Sequence, residues 1–241
     1  GAAMVDAFAS ISAVDLKVQD DLTVTDDASV GGDLAVTGAL DVDGATTTDG
    51  ITNAGNFVTD GGTIKLDGNY PTGTGNVALG DTALDSIQSG GNYNVAIGRN
   101  SLTATTTGDN NTGIGNATLT TNSTGGNNTA VGGNALESAT TADNNTAVGY
   151  AALNLNTTGA SNTALGYYAL LDNTTGGANV ALGYQALGNN TTASNNVAIG
   201  VNALEANTTG TDLVGIGRGA LSANTTSNNN TAVGSQALTA N

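Results

Sequence analysis

A glycine returns at nearly constant intervals through most of this 241-residue chain: Gly80, Gly98, Gly115, Gly132, Gly149, Gly166, Gly183, Gly200, Gly217 and Gly234. The first interval is eighteen residues and the other eight are seventeen. A fixed period of this length is the signature of stacked coils, in which each unit is too small to bury a core alone and relies on its neighbours. Ten coils over residues 76–241 are therefore expected to form a β-solenoid or β-roll.

The columns beside the glycine refine that expectation. With the glycine as position zero, position −1 is always aliphatic, from Leu79 and Ile97 to Val233. Position −3 is Val or Thr, position −2 is Ala except at Gly113 and Gly215, and position +4 is always Leu. Alternation over −3, −2 and −1 describes one short strand per coil, with a large face and a small face. The large face is expected to fill the coil interior with the +4 Leu. The Ala and Gly face is expected to admit the backbone of a neighbouring subunit. Asn recurs at −4 and at +7, beside threonine pairs, and stacked Asn side chains would satisfy loop amides coil after coil.

Residues 15–68 carry a shorter period, nine hexads beginning DLKVQD and ending TIKLDG. Alternating pairs such as Leu16 and Val18, Leu34 and Val36, and Ile64 and Leu66 read as strands with one buried face, and Gly, Asp or Asn at the sixth position reads as a turn. Two buried side chains per hexad cannot support a single thin filament. Three chains wound about one axis would supply the missing neighbours and leave no open sheet edge. The expected organisation is a lead-in over 1–14, a hexad-repeat β-shaft over 15–68, a junction over 69–75 containing Pro71, and the solenoid over 76–241. The fold class is thus all-β, an elongated trimeric fibre with an intertwined shaft followed by a thicker solenoid. Its array stops in mid-repeat, which implies continuation into a longer fibre or end-to-end stacking on another copy.

Composition removes many functions. Four basic and 20 acidic residues give a net charge of −16, so nucleic acid is an unsuitable partner and an anionic membrane surface would repel the chain. With no Cys and no His, disulfides, thiolate chemistry, imidazole metal sites and a His-dependent triad are unavailable. No apolar run reaches the ~18 residues of a membrane span. Carboxylates in the solenoid are isolated: Glu137 and Glu205 lie four coils apart, too far to act as a hydrolytic pair. No enzyme activity and no cofactor are expected.

Two resemblances add to this reading. The hexads, best seen in VGGDLAVTGALDVDG over 30–44, look like phage tail-fibre shafts, whose short repeats build trimeric intertwined β-structure. NTAVGYAALNLNTTG over 145–159 is similar to repeats in structural proteins of marine phages, and NVAIGRNSL over 94–102 resembles the head repeats of YadA-type trimeric autotransporter adhesins. The adhesin heads use a shorter repeat, so their coil shape is not transferred. What these resemblances imply is a homotrimeric structural component of a virion tail fibre, used for host attachment. The alternatives are a bacterial trimeric surface adhesin or a self-assembling extracellular filament.

The candidate ligand-binding residues are Tyr150, Tyr167 and Tyr184, all at position +1 of successive coils, with Tyr168 beside them. Such a stripe can stack on the rings of cell-surface glycans or simply form an aromatic ladder that stabilises the coils, and ladder stabilisation is the plainer reading. Asp81 and Arg99 share position +1 in adjacent coils and are expected to pair. The acidic hexads, with Asp20, Asp21, Asp26, Asp27, Asp41 and Asp43, could gather carboxylates for Ca²⁺ about a threefold axis, although a solvated face is the ordinary outcome. Asn-Thr-Thr at Asn156, Asn173, Asn190, Asn207 and Asn224 matches a glycosylation sequon inside a repeat that already uses Asn and Thr structurally.

Overall fold

The computed structural model describes residues 73–239. The lead-in, the hexad shaft with its acidic residues, and most of the junction lie outside the described residues. Within them the protein is all-β, a parallel β-solenoid with one three-residue strand per coil: β1 (Val77–Leu79), β2 (Val95–Ile97), β3 (Thr112–Ile114), β4 (Thr129–Val131), β5 (Thr146–Val148), β6 (Thr163–Leu165), β7 (Val180–Leu182), β8 (Val197–Ile199), β9 (Val214–Ile216) and β10 (Thr231–Val233). Each strand pairs only with its sequence neighbours, in one sheet ordered β1 to β10. Register follows the repeat, with Thr146 opposite Thr163, Ala147 opposite Ala164 and Val148 opposite Leu165. At the usual strand spacing the nine steps span roughly 43 Å.

Backbone pairing extends well beyond the strands. Leu136 N–H donates to Ala152 O at 3.0 Å and Thr157 N–H to Thr174 O at 2.9 Å, so loops bond to loops one coil away. Within a coil, Ala152 N–H reaches back to Gly149 O at 3.4 Å and Asn156 N–H to Leu153 O at 3.2 Å, making two consecutive tight turns. Residues at +2 and +4 take positive φ, as in Ala151 (53°) and Leu153 (53°). A left-handed Leu costs about 1 to 2 kcal/mol, whereas burying its side chain contributes about 1.5 to 3 kcal/mol. Burial wins, because the +4 Leu from Leu102 to Leu221 are wholly inaccessible.

The strand faces are reversed from the sequence expectation. Ala96, Ala130, Ala147, Ala164, Ala181 and Ala198, the small residues at −2, are fully buried inside the coil, while Leu79, Leu165 and Leu182 at −1 are 45–48 % exposed. The small face therefore lies against the chain's own core and not against a neighbour. The physical reason is the narrowness of a 17-residue coil, whose interior is already filled by the +4 Leu and the small residues at +3. Gly113 makes the constraint visible. A Cβ there would fall 2.5 Å from Ser101 Oγ and 2.8 Å from Thr118 Oγ1, and these are the two coils whose +3 residue is larger than Ala.

Two buried asparagine ladders run along the stack, as expected. At −4, the side chains from Asn76 to Asn196 each accept a backbone N–H from the next coil and donate to a carbonyl across their own loop: Asn162 N–H donates to Asn145 Oδ1 at 2.9 Å, and Asn162 Nδ2 to Gly176 O at 2.9 Å. At +7, Asn173 Nδ2 donates to Asn156 Oδ1 at 2.8 Å and Asn190 Nδ2 to Asn173 Oδ1 at 2.9 Å. These ladder amides, the same residues that match the sequon, are buried in the folded chain. The +7 ladder breaks at Ala139, and Asn122 Oδ1 in the preceding coil is left buried without a partner. Arg99 and Asp81 do pair, at 3.9 Å, but both side chains are largely exposed and the bridge contributes little.

Two substitutions test this account by thermal and urea unfolding. Gly149 has φ 131°, and a Cβ would stand 2.5 Å from Gly166 O. Gly149→Ala should therefore lose about 3 kcal/mol or more, combining backbone strain with overpacking. Ala139→Asn should gain about 1 kcal/mol by supplying a donor to Asn122 Oδ1, since an unsatisfied buried acceptor costs ~1 to 3 kcal/mol. The ladder already tolerates this geometry at Asn190, which donates to Ala193 O at 3.0 Å.

Candidate functional site

Position +1 follows the repeat glycine and leads into the first tight turn, so its side chain leaves the coil just beyond the sheet. There Tyr150, Tyr167 and Tyr184 are 49, 44 and 46 % exposed. Their rings stack along the coil axis, with centroids 5.5 Å apart between Tyr150 and Tyr167 and 5.6 Å between Tyr167 and Tyr184, the latter pair only 6° from parallel. The in-register pairing of β5, β6 and β7 produces this spacing directly. The three tyrosines thus form the aromatic ladder, and pairs of this kind contribute ~0.5 to 1.5 kcal/mol beyond area burial.

Tyr168, at +2, has φ 58° and turns its ring back beside the ladder, 4.0 Å from Tyr167 and 5.9 Å from Tyr150. The hydrogen bond between the Tyr167 and Tyr168 side chains pushes the Tyr167 phenol up to about 12, with lost hydration and the neighbouring phenols adding to the effect.

The rings form one wall of a surface cleft of about 280 Å³ lined by Asn134, Glu137, Tyr150, Ala151, Asn154, Tyr168 and Leu171. These residues come from three successive coils. Glu137 Oε2 accepts from Asn134 Nδ2 at 2.7 Å and from Asn154 Nδ2 at 2.9 Å, and Asn154 Nδ2 also donates to Asn134 O at 2.9 Å. The carboxylate is thereby fixed in the cleft wall. Sequence reasoning treated Glu137 as an isolated acid and missed this grouping. The available signal was Asn at +2 followed by Glu at +5, which recurs as Asn202 and Glu205, also hydrogen-bonded.

Of the sequence candidates, Tyr150 borders the cleft, whereas Tyr167 and Tyr184 extend the ladder away from it. Among the described residues no three His, Cys, Asp or Glu side chains cluster as metal ligands, and no helix is long and apolar enough to cross a membrane. No protein-family model, curated protein or solved structure matches the chain.

An ultraviolet titration tests the tyrosine geometry. One phenol, assigned to Tyr167 by its loss in Tyr167→Phe, should ionise at about 12 instead of the ordinary 10.0, and Tyr168→Phe should bring it back down. Because the folded value is raised, its contribution to stability is complete below the unfolded pKa near ~10 and disappears as pH rises through the folded value. A Tyr167 phenol ionising at the ordinary value of 10.0 would contradict the contact.

Proposed function

We propose that this chain is a structural segment of a phage tail fibre, a homotrimeric rod for host-cell attachment. The observation that carries the proposal is the outward aliphatic column of the sheet. Position −1 is aliphatic in all ten strands; Leu79, Ile97, Ile114, Leu165, Leu182 and Val233 are each 36–68 % exposed, and the half-buried Val131, Val148, Ile199 and Ile216 join them into a continuous apolar strip along the sheet. Single exposed aliphatics are ordinary on a protein surface, but a contiguous strip along a whole sheet is a feature of association sites.

Three copies with their strips turned to a common axis would cover one another, and the strip carries no charge to oppose approach despite the net charge of −16. At ~25 cal/mol per Å², covering one half-exposed aliphatic contributes about 1 to 2 kcal/mol, so the six exposed residues together contribute on the order of 10 kcal/mol per chain. The association cost is roughly 4 to 15 kcal/mol, so the strip suffices only when it engages along most of its length. A rod built this way presents repeated weak contacts to a cell surface, and avidity supplies attachment without catalysis. The repeat resemblances to phage structural proteins support the viral setting, and an extracellular surface adhesin or filament would use the same face.

Sedimentation equilibrium should give a mass three times the 23.3 kDa of one chain. Leu165→Asp combined with Leu182→Asp should shift it towards monomers that keep their circular dichroism. A stable monomer or dimer of the parent chain would overturn the threefold rod.

A further inference from the structure

We infer that the cleft beside the tyrosine ladder is a binding site for a single neutral saccharide ring, held between the face of Tyr150 and the carboxylate of Glu137. The inference names a ligand class for the attachment proposed above and rests on that reading for its biological use. Its chemistry needs only one chain, because all the lining residues lie within three consecutive coils.

The ladder itself offers little to a sugar. Tyr167 is stacked on both sides, with ring centroids 5.5 and 5.6 Å away, and a pyranose cannot enter either gap. Tyr150 ends the aromatic run. The +1 residue of the preceding coil is Gly133, and a Cβ built on it would already touch Tyr150 Cδ2 at 3.5 Å. Gly133 therefore puts no side chain over that ring, and Tyr150 reaches the cleft beside Asn134, Ala151 and Asn154. An aromatic face of this kind packs against the C–H face of a sugar, and burying that apolar area favours binding.

The opposite requirement, an acceptor for sugar hydroxyls, is met by Glu137. Two amide donors hold its Oε2, whereas no hydrogen bond among the described residues reaches Oε1. Hydrogen bonds to a charged acceptor are stronger than neutral ones, and a vicinal diol can donate to such an oxygen without the cost of first ordering the carboxylate. The volume of about 280 Å³ lies at the lower edge of ligand sites, ~300 to 1,000 Å³, which suits one ring and not an extended chain. The wall contains Glu137 and no Lys or Arg, so acidic sugars are disfavoured.

An internal comparison separates the site from the motif. Asn202 and Glu205 repeat the same bonded pair four coils further on. In the coil that follows that pair, however, the positions of Tyr150, Ala151 and Asn154 are taken by Arg218, Gly219 and Ser222, and no aromatic ring is present. The amide–carboxylate pair is thus a recurrent structural element, and only the copy beside Tyr150 and Tyr168 has the second wall.

Saturation-transfer NMR and calorimetry on the full chain, with methyl β-galactopyranoside, methyl α-glucopyranoside and N-acetylneuraminic acid as probes, test the inference. At least one neutral glycoside should bind saturably in the millimolar range, and the acidic sugar should not. Tyr150→Ser should abolish binding and Glu137→Gln should weaken it about tenfold or more, while Glu205→Gln and Tyr184→Ser leave it unchanged. Circular dichroism is expected to show each variant folded, and Tyr150→Phe, which keeps the ring face, should retain binding if Tyr150→Ser does not fold. Absence of binding to both neutral glycosides would overturn the site, as would parental affinity in Glu137→Gln or equal affinity for the acidic sugar. A trimer that binds no glycoside would reject this inference alone, and a monomer that binds one would reject only the threefold rod.

Discussion

Hydrogen bonding from each coil to the next, at a constant offset, is the constraint from which the rest of this solenoid follows. Strands account for only three residues in each coil, so most backbone amides must find partners in loops, and they do so one repeat away. Once that offset is imposed, every side-chain position becomes a column of like residues. Columns of Asn, Leu, Ala and Gly then reinforce one another. A single insertion or an oversized residue is felt by its neighbours on both sides, as the steric limits at Gly149 and Gly113 illustrate.

The asparagine ladders perform a task that hydrophobic residues could not. A coil this thin has loop carbonyls and amides beside its core, and leaving one buried and unpaired costs ~1 to 3 kcal/mol. Asn supplies a donor and an acceptor on a short arm, so it bonds across its own loop and along the axis at once. The exceptions are informative. Leu213 replaces Asn at −4, yet its N–H still donates to Asn196 Oδ1 at 3.0 Å, so the ladder loses a side chain without losing the backbone contact below it. Ala139 has no such compensation for Asn122.

The same columns organise the surface. Where position +1 holds Tyr in three successive coils, register forces the rings into a stack, and the stack ends where Gly133 provides no side chain. The cleft lies beside Tyr150, the last ring of that stack. Elsewhere the outward aliphatic column has no such interruption and continues along the sheet. A regular column gives a long, uniform surface, whereas the end of a column borders a local cleft.

The repeat length, the coil count, the strand positions and the stacking of Asn were all legible from the periodic residues alone, because a fixed offset of backbone pairing leaves an equally fixed spacing in the sequence. The expected pair of Asp81 and Arg99 and the ladder of Tyr150, Tyr167 and Tyr184 follow from the same arithmetic. Which strand face is inside was not legible. Alternation separates Ala147 from Thr146 and Val148 but does not say which side is enclosed, and size suggested the wrong side. Tertiary structure decided it: the interior left by Leu153, Ala152 and the Asn ladders accommodates only a methyl group, so the larger side chains of the strand turn outward. The cleft around Glu137 was likewise a tertiary result, since it joins residues whose grouping depends on how two tight turns aim their side chains, and that aim is set by the packed coil rather than by spacing along the chain.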